Sequence, residues 1–199
     1  MRLQPLGDTN IIADFMREKY QNTYRTQTAR ALWHNYDGGV YFITICTLNH
    51  VHYFGEIINH EMRLSTLGKY AQTCWEAIPF HFPHVETPLF VIMPNHIHGI
   101  LIIKNPHTKK KESPSHNSHN EFGPQSLNLA SVMRGFKAGV TKYAKMNGII
   151  FAWQPRFYDR IIRNLEEWSL IATYIENNVG RWDMDKYNEK SEKENIDNP

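Results

Sequence analysis

The stretch "FVIMPNHIHGILII", residues 90–103, sets His96 and His98 inside an otherwise apolar run. Alternate side chains of a strand share a face, so two imidazoles one residue apart can grip a single metal ion. Spacing alone is weak evidence, because eleven histidines in 199 residues yield about 0.6 H-x-H pairs by chance. A second pair, His50 and His52 in "LNHVHYF", lies just past an apolar segment and reads as two solvated histidines. His96 and His98 differ in their surroundings: burying an unpaired polar group costs on the order of a few kcal/mol. Either neighbouring backbone satisfies two core histidines, or a ligand does. Gly99 beside them leaves space for a close backbone or a ligand.

The second chemical feature is Tyr174 with Asn178, one helical turn apart in "LEEWSLIATYIENN". Trp168, Ile171, Ala172, Ile175 and Val179 make the apolar stripe of that helix, and Tyr174 and Asn178 lie on one edge of it. A tyrosine hydroxyl ionises near pH ~10 and becomes a useful nucleophile only when a metal or a base assists. An amide one turn away could complete an oxygen and nitrogen shell with the histidine pair. The plainer reading is a half-buried helix tyrosine whose hydroxyl reaches water. Tyr158, in "WQPRFYDR", is an alternative nucleophile, although Trp153 and Phe157 nearby suit a packing role or contact with a nucleic-acid strand.

The elements that must position these groups follow from periodicity. "VYFITICT", 40–47, is rich in β-branched and aromatic residues and reads as a strand, and "YFGEIINHEMRLS" reads as a hairpin turning at Asn59 and His60. From Ser65, Leu67, Tyr70, Ala71, Cys74, Trp75 and Ile78 recur at helical spacing until Pro79 and Pro83 end the helix. "PLFVIM" and "HIHGILIIK" are two extended runs joined at Pro94-Asn95, and "NPHTKKKESPSHNSHNEFGPQ" has the composition of a mobile loop or linker. "SLNLASVMRGFKAGVTKYAKMNG" is helical, with Leu129, Val132, Met133, Phe136, Val140, Tyr143 and Ala144 on one side and Arg134, Lys137, Lys142 and Lys145 on the other. An extended "FYDRIIR" and the tyrosine helix, opened by Asn164 and Glu167 as a capping box, close the order. Strand, helix, two strands, helix, strand predicts an α+β, ferredoxin-like sandwich: a central antiparallel sheet, helices on one face and a C-terminal helix carrying Tyr174.

Length supports one domain with extensions: residues 1–39 as an N-terminal extension, 40–182 as the main folded domain, and 183–199 as a charged, disordered tail. The tail holds six acids against three bases, so a chain of net charge +2 carries +5 over residues 1–182, which suits a polyanionic partner. No apolar run approaches the roughly 20 residues that cross a bilayer, and the first ten residues lack the apolar centre of a signal peptide. A cytoplasmic protein with no membrane partner is expected. Cys46 and Cys74 lie in separate apolar segments and read as reduced, buried thiols.

"VYFITICT", "FGEI", "LGKYAQTCWEAIPFHFPHV", "FVIMPNHIHGILII", "FKAGVTKYAK", "WQPRFYDRIIR" and "YIENN…RW" occur in an order and character that resembles the single-tyrosine HUH transposases, and more narrowly their REP-associated branch. The resemblance covers roughly residues 30 to 182. It implies that His96 and His98 hold a divalent ion, Mg²⁺ or Mn²⁺, with Asn178 as third ligand, and that Tyr174 is the nucleophile. Val179 departs from the Asn-Asn-Pro that relatives carry here. The implied reaction is cleavage and rejoining of single-stranded or hairpin DNA through a 5′-phosphotyrosyl bond. Arg134, Lys137, Lys142, Lys145, Arg156, Tyr158, Arg160, Arg163 and the "KKK" of 109–111 become candidate DNA contacts. The resemblance leaves monomer and homodimer open. Two other readings share these residues: a hydrolase with water as nucleophile, and a catalytically silent hairpin-binding protein.

Overall fold

The structure, a computed structural model, describes residues 38–104, 128–185, 187 and 188. Most of the N-terminal extension, the lysines at 109–111 and the linker around them lie outside the described residues. Strand β1, Gly39–Cys46, and strand β5, His96–Ile103, form the centre of a four-stranded sheet. β4, Val85–Ile92, lies outside β5, and β6, Tyr158–Ile161, lies outside β1. All neighbours are antiparallel in the order β4-β5-β1-β6. This is the ferredoxin-like arrangement that the element order predicts. The register shifts between Glu86 and Leu89, a break that Pro88 tolerates because β4 is an edge.

The expected hairpin forms as β2, Gly55–Ile58, and β3, Glu61–Leu64. Its turn residues Asn59 and His60 have φ of 52° and 61°, the left-handed pair that a two-residue type I′ connection needs. Helix α1, Thr66–Glu76, starts at Ser65, whose side chain accepts from the Gly68 N–H at 3.0 Å. Pro79, expected to end this helix, instead sits in the first turn of a short second helix, α2, Ile78–His81, where its missing N–H is no loss.

Helix α3, Leu129–Met146, is capped by Asn128, which accepts from the Ser131 N–H at 3.0 Å. Helix α4, Leu165–Asn177, is capped by Asn164 accepting from the Glu167 N–H at 2.8 Å. The Glu167 carboxylate does not close the expected box on Asn164. It accepts from the Arg163 N–H at 2.9 Å, one residue earlier.

Strand alternation divides the sheet into two chemically different faces. Tyr41, Ile43, Ile45, Ile97 and Leu101 pack with Leu67, Ala71 and Trp75 of α1 and with Val132, Met133, Phe136 and Val140 of α3. Phe42 and Ile100 face the other way and pack with Ile162 and with Ile171 and Ile175 of α4. The tyrosine helix therefore covers the face opposite to α1 and α3. Gly99 corrects the sequence reading: a Cβ there would lie 2.2 Å from Cζ2 of the fully buried Trp75. The glycine admits an indole to the core face, not a ligand.

The chain does not leave the fold at residue 182. Val179–Met184 winds as a 3-10 helix with Trp182 buried, and Asn188 is buried behind it, donating through Nδ2 to the Trp182 carbonyl at 3.1 Å. Of the expected tail, residues 183–185, 187 and 188 are among those described, and 186 and 189–199 lie outside them.

Candidate active site

Both histidines are fully buried and stand on the α4 face of β5, with ring centroids 4.5 Å apart. Their common orientation follows from the period of two that the sequence suggested. Thr44 lies opposite His98 on β1 and Cys46 opposite His96. The His98 ring stacks on Phe42 at 5.3 Å, and its Nδ1 lies 2.8 Å from Thr44 Oγ1. The His96 Nδ1 lies 2.8 Å from Asn95 Oδ1. Neither histidine is satisfied by backbone in these contacts; each ring is oriented by a buried polar side chain, the arrangement that metal-ligating imidazoles use.

Helix α4 brings Tyr174 onto this pair. Its hydroxyl lies 3.0 Å from His98 Nε2, and its ring meets Phe42 edge-on at 6.0 Å. Asn178 is buried one turn later, and its side chain acts to favour ionisation of the phenol. The phenol, His98 and Thr44 side chains form one chain of contacts, Oη to Nε2 and Nδ1 to Oγ1. Burial first, and then the Asp185 carboxylate, push the Tyr174 hydroxyl well above the ordinary tyrosine range, so it is held protonated at neutral pH.

The donors fit a divalent cation in kind. Asn178 Oδ1 is buried and meets no hydrogen-bond donor among the described residues. An amide oxygen beside two imidazoles is a donor set that Mn²⁺, and less readily Mg²⁺, accepts. No group of three or more His, Cys, Asp or Glu side chains suited to a metal occurs among the described residues, so the amide is needed to make a third ligand.

Several residues at the site escaped the sequence. Thr44 and Asn95 orient the rings; the alternation of "ITIC" places Thr44 on the right face, whereas Asn95 reads as an ordinary turn residue. Asp185 lies 3.9 Å from His96 Nε2, outside hydrogen-bond range, and its Oδ1 accepts from the Tyr187 N–H at 2.8 Å. Nothing in a tail of six acids singles it out.

The second histidine pair needs correction at one member: His50 is half-buried and stacks on Tyr187 at 4.8 Å, whereas His52 is exposed, as expected, and meets Trp182 edge-on at 5.5 Å. Both rings touch the C-terminal segment.

The candidate DNA contacts divide by location. Tyr158 lies opposite Thr44 on β6, on the same face as His98, and packs edge-on against Phe42 at 6.3 Å. Arg160 is also on β6 and holds Glu167 at 3.2 Å, while Arg163 and Arg156 are exposed. Arg134, Lys142 and Lys145 are exposed on α3, in the layer across the sheet from Tyr174. The structure does not bring them to the site.

Lys137 is half-buried, and its ammonium donates to the Gln154 and Arg156 carbonyls at 2.9 and 2.8 Å while lying over the Trp153 ring. It ties down the loop in which Arg156 adopts φ of +68°. The described residues contain no helix long and apolar enough to cross a membrane.

No protein-family model matches the chain. It is 41% identical over 177 residues to an uncharacterized protein of Haemophilus influenzae, an alignment spanning 86% of this chain and 98% of that one. Among solved structures, it is similar to a REP-associated tyrosine transposase bound to a REP hairpin, with a TM-score of 0.53 and 19% identity over 80% of this chain and 77% of that one. The chain thus belongs to one family with the Haemophilus influenzae protein, and its fold is that of a REP-associated tyrosine transposase.

Proposed function

We propose that the chain is a single-tyrosine DNA nicking and joining enzyme that acts on single-stranded or hairpin DNA, with Tyr174 as nucleophile and His96, His98 and Asn178 as the ligands of a divalent cation. The observation that carries this reading is the 3.0 Å contact between the Tyr174 hydroxyl and His98 Nε2, made across two elements 76 residues apart. Any phenol withdrawn from water needs a partner; what favours a chemical role is that this partner is a buried histidine standing beside a second buried histidine and Asn178. The hairpin bound by the structurally similar transposase supports a DNA substrate of the same kind.

In the reaction, Tyr174 Oη attacks the scissile phosphorus, the P–O3′ bond breaks, and the proton lost from the phenol is balanced by the proton gained on the departing 3′ oxygen. The product is a 5′-phosphotyrosyl link and a free 3′-hydroxyl. The phosphodiester bond is conserved in the link, so a 3′-hydroxyl can reverse the step and join strands without a nucleotide cofactor. When bound, the cation supplies polarisation of the phosphate and stabilisation of the charge that develops there.

The chain's own contributions are orientation and proton control. Phe42 and Thr44 hold the His98 ring, and Asn178 steadies the phenol oxygen. The His98 Nε2 that lies 3.0 Å from the phenol oxygen is also the atom through which His98 would hold a cation, so with a cation held there the Tyr174 hydroxyl would lose this partner and could turn to the substrate. Arg156 and Arg163 are proposed as backbone contacts at the mouth of β6 and α4, and Arg134, Lys142 and Lys145 as contacts for DNA that extends around the far layer.

The test is a denaturing gel after incubation with end-labelled hairpin DNA and Mn²⁺. A heat-stable protein-DNA adduct that disappears in Tyr174→Phe is expected. Adduct in Tyr174→Phe moves the nucleophile to Tyr158. Cleavage without adduct means that water is the nucleophile, and hairpin binding with neither means a silent binding protein.

A further inference from the structure

Asn95 is fully buried in the turn between β4 and β5, and it makes three hydrogen bonds to groups that are far apart in sequence. Its Nδ2 donates to the His50 carbonyl at 3.0 Å and to the Tyr187 carbonyl at 2.7 Å, and its Oδ1 lies 2.8 Å from His96 Nδ1. Both carbonyls are acceptors only, so the amide has one permissible orientation: reversing it would set an oxygen against two oxygens. The atom presented to His96 is then an acceptor, and a ring nitrogen facing an acceptor must carry the proton.

We infer that Asn95 is a positioning residue that holds neutral His96 as its Nδ1–H tautomer, leaving the Nε2 lone pair for the site, and that it does so only while the Tyr187 and His50 backbones fix its amide. The C-terminal segment is thus part of the device that prepares His96. His50 stacks on Tyr187 at 4.8 Å, which brings the two carbonyl-bearing segments together on the same side chain. The inference rests on the proposed function for the use of that lone pair, but its geometry is independent of what the protein acts on.

The tautomer is read directly from a long-range proton–nitrogen correlation spectrum of the histidine rings, recorded on the metal-free full chain at a pH where imidazole is neutral. His96 is expected to show a protonated Nδ1 and an unprotonated Nε2. Asn95→Leu removes acceptor and donors together; His96 is expected to gain the Nε2–H form, and Mn²⁺ affinity, followed by electron paramagnetic resonance, to fall about ten-fold or more.

Asn95→Asp keeps an acceptor but sets its second oxygen against the His50 and Tyr187 carbonyls, so it too is expected to lose the wild-type ring pattern. A wild-type His96 with Nε2 protonated overturns the inference, and so does an Asn95→Leu ring pattern identical to wild type; a wild-type pattern in Asn95→Asp overturns the part assigned to the two carbonyls. The wild-type spectrum decides even if a variant fails to fold. Failure of the adduct assay alongside the expected spectra would reject the proposed enzyme and leave the tautomer assignment standing.

Discussion

Tyr174 Oη and His98 Nε2 lie 3.0 Å apart, and that nitrogen is the one through which His98 would hold the proposed cation. Phenol and metal would then compete for one atom. Burial, then the nearby Asp185 carboxylate, holds the Tyr174 hydroxyl above its ordinary range. In an ultraviolet titration of the folded, metal-free protein, Tyr174→Phe should therefore remove no absorbance change near the ordinary tyrosine midpoint of about 10. Adding Mn²⁺ to wild type should move one tyrosine to a lower midpoint, and no such movement should occur in Tyr174→Phe or His98→Ala.

The same shift has a consequence for stability. An unfolded Tyr174 ionises from about pH 10 upward, whereas the folded one stays neutral. The contribution is present in full below the unfolded value and is lost as pH rises through it toward the folded value. Wild type should lose stability over that alkaline range more steeply than Tyr174→Phe. Urea midpoints at neutral and alkaline pH measure the difference, and parallel slopes for the two proteins would remove the buried-phenol account.

Thr44→Val keeps the shape of the β1 side chain while deleting the partner of His98 Nδ1. About 1–3 kcal/mol of stability should be lost, because a buried ring nitrogen is left unsatisfied. Mn²⁺ affinity should fall roughly 10-fold to 100-fold through loss of ring orientation. Calorimetry of the metal-free and Mn²⁺-loaded variant reads both, and an unchanged Mn²⁺ affinity would show that Thr44 only packs.

The lysines of α3 should separate cleanly. Lys137→Met abandons two carbonyls and should cost about 1.5–3 kcal/mol in urea unfolding. Lys142→Ala and Lys145→Ala alter exposed positions across the sheet from Tyr174, and each should stay within about 0.5 kcal/mol of wild type. Adduct formation on a short oligonucleotide should be untouched by the latter two, with any effect confined to longer DNA at low salt.

Much of the fold was legible because its decisive signals are local. "VYFITIC" and "HIHGILII" carry β-branched and apolar residues on faces set by alternation, and Asn164 marks the start of the tyrosine helix by its own side chain. The meeting of His98 with Tyr174 was legible only through two periodicities pointing at the same sheet face. Asn95, Asp185 and the docking of His50 on Tyr187 were not legible. Each depends on backbone from a distant segment, and neither composition nor spacing marks an amide whose importance lies in two carbonyls 45 and 92 residues away. Gly99 misled for a related reason: the space it vacates is real, but the pleat directs it to Trp75.

β5 interleaves two independent scripts. Ile97, Gly99 and Leu101 are read by folding, while His96, His98 and Ile100 are read by the opposite layer. Substitutions along these eight residues should consequently differ in kind, odd positions changing the melting temperature alone and His96 and His98 changing the candidate site as well as the melting temperature. Deleting one residue from the turn before His96 would exchange the scripts and ruin both at once. A change in length is thus the most damaging change to this strand, because it would move the apolar residues out of the core and both histidines off the α4 face together.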